Sequence, residues 1–130
     1  MTRRESREKA VCALYEYSVQ PELTTGEIIE HAKEESGEEL SAFSAEVVGK
    51  TLANLQEIDA LIAGASQNWS FSRISKVTLA VLRAAVCELK FLENPTPVEI
   101  AVNEALELAR LYDTDKAVGF VNGVLAKIVN

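Results

Sequence analysis

The sequence has few of the residues that metal and haem sites need. It contains one histidine, His31, and two cysteines, Cys12 and Cys87, and neither CxxC nor HExxH spacing occurs. Because such sites need clustered Cys and His ligands, we expect no metal and no cofactor. Each cysteine lies in an alanine- and valine-rich helical context, which favours free thiols over a disulfide.

Catalytic motifs are also missing. The six glycines are scattered and spell neither GxGxxG nor GxxxxGK, so no phosphate-binding glycine loop is expected. His31 stands among glutamates on a helix that we expect to be solvated, and no nucleophile or orienting group accompanies it. We therefore predict a protein that is not an enzyme, and we interpret His31 as a surface histidine.

Long apolar runs are absent as well. No stretch reaches the roughly 18 apolar residues of a membrane span, and the N-terminus lacks a secretory signal. We expect a cytoplasmic protein with no membrane partner. The 130 residues are 48% hydrophobic and carry a net charge of −7. This composition predicts a single domain over residues 1–130 that folds without metal or disulfide.

What the sequence does have is helical periodicity. Apolar residues recur at helical spacing and strand-like alternation is absent, which predicts an all-α bundle of about six helices. Thr2 with Glu5, Thr24 with Glu27 and Thr96 with Glu99 spell capping boxes, and Pro97 suits a first helical position. The six predicted helices lie near residues 3–18, 25–36, 41–66, 73–92, 97–112 and 114–129.

The fourth predicted helix is apolar on most of its circumference, so we expect it to be central in the bundle. Its polar remainder is a narrow seam of Lys76, Arg83 and Lys90. Glu88 falls within the buried arc. A buried carboxylate must find a hydrogen-bond donor, so we interpret Glu88 as a structural glutamate rather than a catalytic acid.

The N-terminus reverses the sign of the overall charge. Residues 1–9 contain four cations, and Arg3, Arg4 and Arg7 continue the core-facing stripe of the first helix. Because an unpaired guanidinium cannot be buried, we expect this turn to overhang the globule or to fray. Its arginines would then bind an anion such as phosphate. The alternative is that Arg–Glu pairs merely solvate a helix start.

One flank of the last helix carries an aromatic residue between cations, with Lys116, Phe120, Gly123 and Lys127 in line. Such a ring can stack on an unpaired base while lysines hold the backbone. The alternative is a half-buried Phe120 that packs on a neighbouring helix. Asn122-Gly123 is costly inside a helix, which suggests a packing or binding reason for it.

Several segments carry a family likeness. They are RRESREKAVCALY from Arg3 to Tyr15, Asn68-Trp69, Val81-Leu82-Arg83 with Glu88-Leu89, PVEIAVNEA from Pro97, and FVNGVL from Phe120. Together they resemble the NusB family of bacterial transcription antitermination factors over nearly the whole chain. FVNGVL and VNEALELA at this separation are specific to the family, whereas the arginine-rich start alone is a weak signal.

The resemblance implies an all-helical fold of two three-helix halves. It also implies pairing with NusE, a small-subunit ribosomal protein, and binding of single-stranded boxA RNA in ribosomal RNA leaders. The complex would then join the RNA polymerase elongation complex with other Nus factors. By this likeness Arg3, Arg4 and Arg7 match the RNA-binding start, Tyr15 an RNA-edge tyrosine, and Phe120, beside Lys116, the C-terminal RNA contact.

The sequence departs from the family pattern at Glu5, at Thr78-Leu79, at Gly119 and at Ala126. Thr78 and Leu79 replace a usual acidic and basic pair next to Lys76. We therefore expect Lys76, Thr78 and Leu79, with Val86 nearby, to form a more apolar partner surface or a homodimer face.

Two rival interpretations stay open at this point. The chain could be a helical adaptor that binds only proteins, its basic start pairing with an acidic partner. A NusB-like domain also precedes the catalytic domain of some ribosomal RNA cytosine methyltransferases. The sequence stops at Asn130 without a cofactor domain, so we expect a stand-alone factor.

Overall fold

The computed structural model describes residues 2–66 and 70–130. These residues form seven α-helices and one 3-10 turn, Phe71–Arg73, with no strand among them, so the all-α prediction is confirmed. No described helix is long and apolar enough to span a membrane. The helices are α1 (Arg3–Val19), α2 (Thr25–Ser36), α3 (Ala42–Ala53), α4 (Leu55–Ala65), α5 (Lys76–Lys90), α6 (Val98–Tyr112) and α7 (Asp115–Val129).

The helix predicted over residues 41–66 is two helices that meet at Asn54. Asn54 leaves helical geometry, with φ −121° and ψ 25°, and serves as the cap residue of both α3 and α4. Its side-chain amide donates to the Lys50 carbonyl at 2.8 Å. Asparagine competes for backbone hydrogen bonds in this way, and that competition favours helix ends. Apolar residues keep their helical spacing on both sides of Asn54, so hydrophobic spacing alone does not predict the break between α3 and α4.

Two of the three predicted capping boxes are confirmed. In each, a threonine hydroxyl accepts from the N3 backbone N–H and the N3 glutamate accepts from the threonine N–H, at Thr2 with Glu5 and at Thr24 with Glu27. Those hydrogen bonds from the threonines lower the pKa of both glutamates. The prediction of a third capping box, Thr96 with Glu99, is wrong. The cap residue of α6 is Pro97, and the Thr96 hydroxyl donates to Glu88 Oε1 at 2.8 Å instead of capping the helix.

Helix α5 is the centre of the bundle, as its apolar circumference predicts. Every residue from Thr78 to Glu88 is buried, and α1, α3, α4, α6 and α7 all pack against it. Helices α1 to α3 also pack on one another, α6 packs on α5 and α7, and α4 joins the two groups. The polar residues between Thr78 and Glu88 on α5 are therefore covered by the surrounding helices.

The predicted polar seam on α5 is only partly exposed. Lys76 and Lys90 are exposed, but Arg83 is buried. Its Nε and Nη2 donate to the two Asp59 oxygens at 2.9 and 2.8 Å, and Nη1 donates to the Ser18 hydroxyl at 3.2 Å. The bidentate ion pair with Asp59 of α4 offsets the cost of removing the Arg83 guanidinium from water. A helical wheel of α5 cannot show a partner on another helix.

The two cysteines are free thiols in different surroundings. Cys12 is exposed on α1, and Cys87 is buried on α5, where its Sγ lies 3.5 Å from the Val47 carbonyl oxygen. Burial raises the pKa of Cys87 to about 11. The Cys87 thiol therefore stays protonated at neutral pH.

The contrast between the thiols gives a test of the core. With Ellman's reagent at pH 8, we expect one thiol per chain to react rapidly, because Cys87 is buried and protonated. The second thiol should react only after the chain is unfolded in guanidinium. A Cys12→Ser variant should show no rapid thiol. Two rapidly reacting thiols in the native wild-type chain would contradict the burial of Cys87.

Candidate nucleic-acid interface

The prediction that Arg7 overhangs the globule is wrong. Arg7 is only 6% exposed, and its Nε donates to both Glu88 oxygens, at 3.1 and 2.9 Å, while its Nη2 donates to Glu88 Oε1 at 2.8 Å. The third nitrogen, Nη1, lies 3.8 Å from Glu104 Oε1. The core-facing stripe of α1 therefore does include an arginine, because α5 supplies a carboxylate opposite it.

Glu88 is the hydrogen-bonded structural glutamate that its position in the buried arc predicts. Besides Arg7, it accepts from the Thr96 hydroxyl at 2.8 Å, and the Thr96 N–H donates to the Glu88 carbonyl at 2.8 Å. Both carboxylate oxygens thus have donors. A buried ion pair with its remaining lone pairs satisfied is the kind that proteins can tolerate.

The first turn of α1 is also held from the side of α3. The Ser41 hydroxyl donates to the Ser6 hydroxyl at 2.8 Å, and the Ser44 hydroxyl donates to the Ser6 carbonyl at 2.9 Å. With Ser6 and Ser44 both buried, these bonds are shielded from water. The turn is therefore ordered between α3 and α5 rather than frayed.

Arg3 and Arg4 stay at the surface, as predicted for the arginine start. The Arg4 side chain is 57% exposed, and its Nε donates to Glu104 Oε2 at 3.0 Å. The Arg3 guanidinium lies 4.0 Å from the centroid of the Phe43 ring, a cation–π contact, and Arg3 is exposed. The arginine start thus divides into a buried anchor and two exposed cations.

Tyr15 lies further along α1, on the wall of an open groove. The side chain is 42% exposed, and the groove, of about 860 Å³, is also lined by Tyr112, Val77 and Cys12. The Cys12 Sγ lies 3.9 Å from the Tyr112 hydroxyl. Partial burial, reinforced by Cys12, raises the pKa of Tyr112 to about 12, so the Tyr112 hydroxyl is neutral at physiological pH.

Phe120 and Lys116 line a second cavity, of about 390 Å³, together with Arg73, Thr78 and Asp113. Phe120 is half-buried and packs against the core, so the packing interpretation of this ring holds, and the ring also borders the cavity. Gly123 has no packing role within the described structure, because a Cβ there would meet nothing within 4 Å.

Two of the three residues of the predicted partner surface on α5 are mostly covered by neighbouring helices. Lys76 is exposed, but Thr78 and Leu79 are 5% and 8% exposed, and Val86 is fully buried. The Thr78 hydroxyl donates to Asp113 Oδ2 at 2.6 Å, and Leu79 joins the core. Helices packed around α5 therefore cover most of the Thr78 and Leu79 side chains, although Thr78 still borders the cavity of Phe120. Asn68-Trp69 of the family likeness lies outside the described residues.

Helices α1 and α6 place Arg4, Glu104, Tyr15 and Tyr112 along one line, and the cavity of Lys116 and Phe120 on α7 lies at the Tyr112 end. We call these side chains, with Arg3 and Arg73, the track. Helices α1 and α6 both pack on α5, and they run in the same direction, since Arg4 contacts Glu104 and Cys12 contacts Tyr112. At 1.5 Å per residue, the two contacts are about 12 Å apart. The groove and the cavity then adjoin, because Tyr112 lines the groove and its neighbour Asp113 lines the cavity.

Three residues of this track were missed by the sequence reasoning. Glu104 lies within the VNEALELA motif, where its spacing from the arginines gives no sign of contact. Tyr112 and Arg73 fall near predicted helix ends, where an aromatic or a cation is unremarkable. Within the described residues, no cluster of His, Cys, Asp and Glu could hold a metal ion.

Arg7 and Arg4 should differ sharply in their effect on stability. Arg7→Ala leaves Glu88 buried and unpaired, so we expect the free energy of unfolding to fall by about 3–5 kcal/mol. Arg4→Ala removes only an exposed pair and should leave the urea midpoint nearly unchanged. Urea unfolding followed by circular dichroism measures both. Equal effects of the two substitutions would contradict the division of the arginine start.

Known proteins match this chain in sequence and in fold. The model of the NusB family matches residues 4–130. The Transcription antitermination protein NusB of Natranaerobius thermophilus is 37% identical over 134 residues, covering 100% of this chain and 96% of the relative. The structure of T. maritima NusB superposes with a TM-score of 0.84 at 32% identity, covering 98% of this chain and 90% of that one.

A second solved structure contains antitermination factors NusB and NusE in complex with dsRNA. Its matching chain has a TM-score of 0.81 and 27% identity, with 98% of this chain and 97% of that chain covered. The matches extend over nearly the full length on both sides. By its sequence and its fold, this chain belongs to the NusB family.

Proposed function

We propose that this chain is a transcription antitermination factor that binds RNA together with NusE and catalyses no reaction. The observation that carries the proposal is the track, with exposed Arg3 and Arg4 in the first turn of α1, Tyr15 further along α1, and Lys116 and Phe120 on α7. Family membership supports it, as does the structural likeness to a NusB chain solved with NusE and RNA.

Five side chains of the track have roles in the RNA binding that we propose. Arg3 and Arg4 donate to phosphates through their guanidinium edges, and Lys116 neutralises the backbone near the cavity. The rings of Tyr15 and Phe120 stack on bases. Arg7 belongs to the site as a positioning residue, because its donors are engaged by Glu88 and it sets the turn that carries Arg4.

The protein's overall charge makes its affinity depend on a partner. A net charge of −7 repels RNA at long range, so binding by the isolated chain is modest and salt-sensitive. Three phosphate contacts, from Arg3, Arg4 and Lys116, correspond to a log–log salt slope of roughly −2 on single strands. NusE would add the missing surface, after which the complex joins RNA polymerase with other Nus factors.

The stacking rings favour unpaired RNA as the ligand. Bases in an A-form duplex are stacked on each other and present no free face to a side chain, whereas a single strand does. We therefore propose single-stranded boxA-type RNA from ribosomal RNA leaders as the ligand. The solved relative holds dsRNA, so a duplex is the necessary competitor in any binding experiment.

A titration of RNA with and without NusE tests the proposal. We expect single-stranded boxA-type RNA to bind at least about tenfold more tightly than a scrambled strand or a duplex when NusE is present. Fluorescence anisotropy of labelled RNA gives the three dissociation constants. Equal and weak binding of all three would instead favour a helical adaptor that recognises only proteins.

Replacing Phe120 by leucine separates stacking from packing. Phe120→Leu keeps an apolar side chain against the core but removes the ring, so RNA affinity should fall by about 1–3 kcal/mol if a base stacks there. The control is Phe91→Leu, which changes a half-buried ring at the opposite end of α5. The Tm of each variant measures packing. Unchanged RNA affinity of Phe120→Leu, with a Tm loss like that of the control, would assign Phe120 to packing alone.

A further inference from the structure

One carboxylate from α6 contacts two of the three arginines. Glu104 Oε2 accepts from Arg4 Nε at 3.0 Å, and Glu104 Oε1 lies 3.8 Å from Arg7 Nη1. The Glu104 side chain is 19% exposed, between the 7% of Arg7 and the 57% of Arg4. Glu104 is thus held at the rim, where the buried ion pair gives way to the exposed cation.

The contact occupies the edge of Arg4 that an RNA phosphate would use. A guanidinium binds an oxyanion best through two parallel N–H groups, and one of its edges combines Nε with a terminal nitrogen. Glu104 already accepts from Arg4 Nε. A phosphate on that edge must displace the Glu104 carboxylate, and a phosphate on another edge still meets its negative charge nearby.

We propose that Glu104 is a built-in competitor for RNA phosphate at Arg4 and sets the affinity of the arginine start. The inference rests on the proposed function, since it assumes that Arg4 binds RNA. Glu88 differs in role, because it is buried on Arg7 and cannot exchange with a ligand. Glu104 weakens phosphate binding whatever the sequence of the strand, since phosphate contacts carry no sequence information. Base stacking and NusE therefore decide which RNA is retained.

The test is Glu104→Gln, which keeps an oxygen acceptor and the shape of the side chain but removes the charge. In the presence of NusE, we expect both boxA-type and scrambled single strands to bind about two- to fivefold more tightly, as for release of one partly exposed ion pair. The log–log salt slope should steepen by at most about 0.7, the increment of a single phosphate contact, because Arg4 then binds phosphate without first giving up an ion pair.

Glu107→Gln is the matched control. Glu107 lies one turn further along α6, its field reaches Arg4, and its own ion pair is with Arg110 at 2.9 Å. The two variants remove the same charge from the same helix, but only one breaks a contact with Arg4. We expect Glu107→Gln to give less than half the gain of Glu104→Gln. Equal gains would overturn the competitor role, because the distant field alone would explain them.

Two further measurements test the same contact, and the first of them does not require Glu104→Gln to fold. Glu104→Asp keeps the charge but shortens the side chain by one methylene, so we expect a smaller gain in RNA affinity at an unchanged net charge. In an Arg4→Ala background the gain from Glu104→Gln should fall to the level of Glu107→Gln, which a double-mutant cycle measures as coupling between Arg4 and Glu104. A gain that persists in full without Arg4 overturns the inference.

Loss of affinity in Glu104→Gln would also overturn it, because Glu104 would then position Arg4 for RNA rather than compete. This failure is distinct from failure of the proposed function. If the wild-type chain with NusE prefers boxA-type RNA and Glu104→Gln binds no more tightly than Glu107→Gln, only the competitor role is lost. If neither the wild-type chain nor any variant prefers boxA-type RNA, the proposed function itself is lost.

Discussion

The buried ion pair between Arg7 and Glu88 determines how the N-terminal helix is set on the bundle. Either charge alone would be costly in the interior, and each is present because the other lies within hydrogen-bond distance. Thr96 adds a donor to the same carboxylate. Because the pair joins α1 to the central α5, the first turn of α1 is ordered before any ligand binds, and the neighbouring arginines keep fixed positions at the surface.

This anchoring explains how an acidic protein can present a site for RNA. A preordered turn loses less conformational entropy on binding than a frayed one. The exposed cations are few, and Glu104 engages one of them, so charge contributes little discrimination. In the function that we propose, selectivity then depends on the rings of Tyr15 and Phe120 and on the partner protein.

Much of the fold could be predicted from the sequence because its signals are local. The spacing of apolar residues predicted an all-helical fold, and threonine–glutamate pairs predicted two of the helix caps. The apolar circumference of α5 predicted its central place in the bundle. The pairing of Arg7 with Glu88 could not be predicted, since the residues are 81 positions apart and each merely required some partner. The face predicted at Thr78 and Leu79 was inferred from a departure from the family pattern, and the apolar circumference of α5 already indicated that both side chains would be mostly covered.

Amide hydrogen exchange in the free protein tests the anchoring most directly. The account predicts that the backbone N–H groups of Ser6, Arg7 and Glu8 exchange at least about a hundredfold more slowly than in an unfolded chain, with no RNA or NusE present. Two-dimensional NMR after transfer into D₂O resolves these three groups. Exchange at the unfolded-chain rate would show a frayed first turn and would contradict the account.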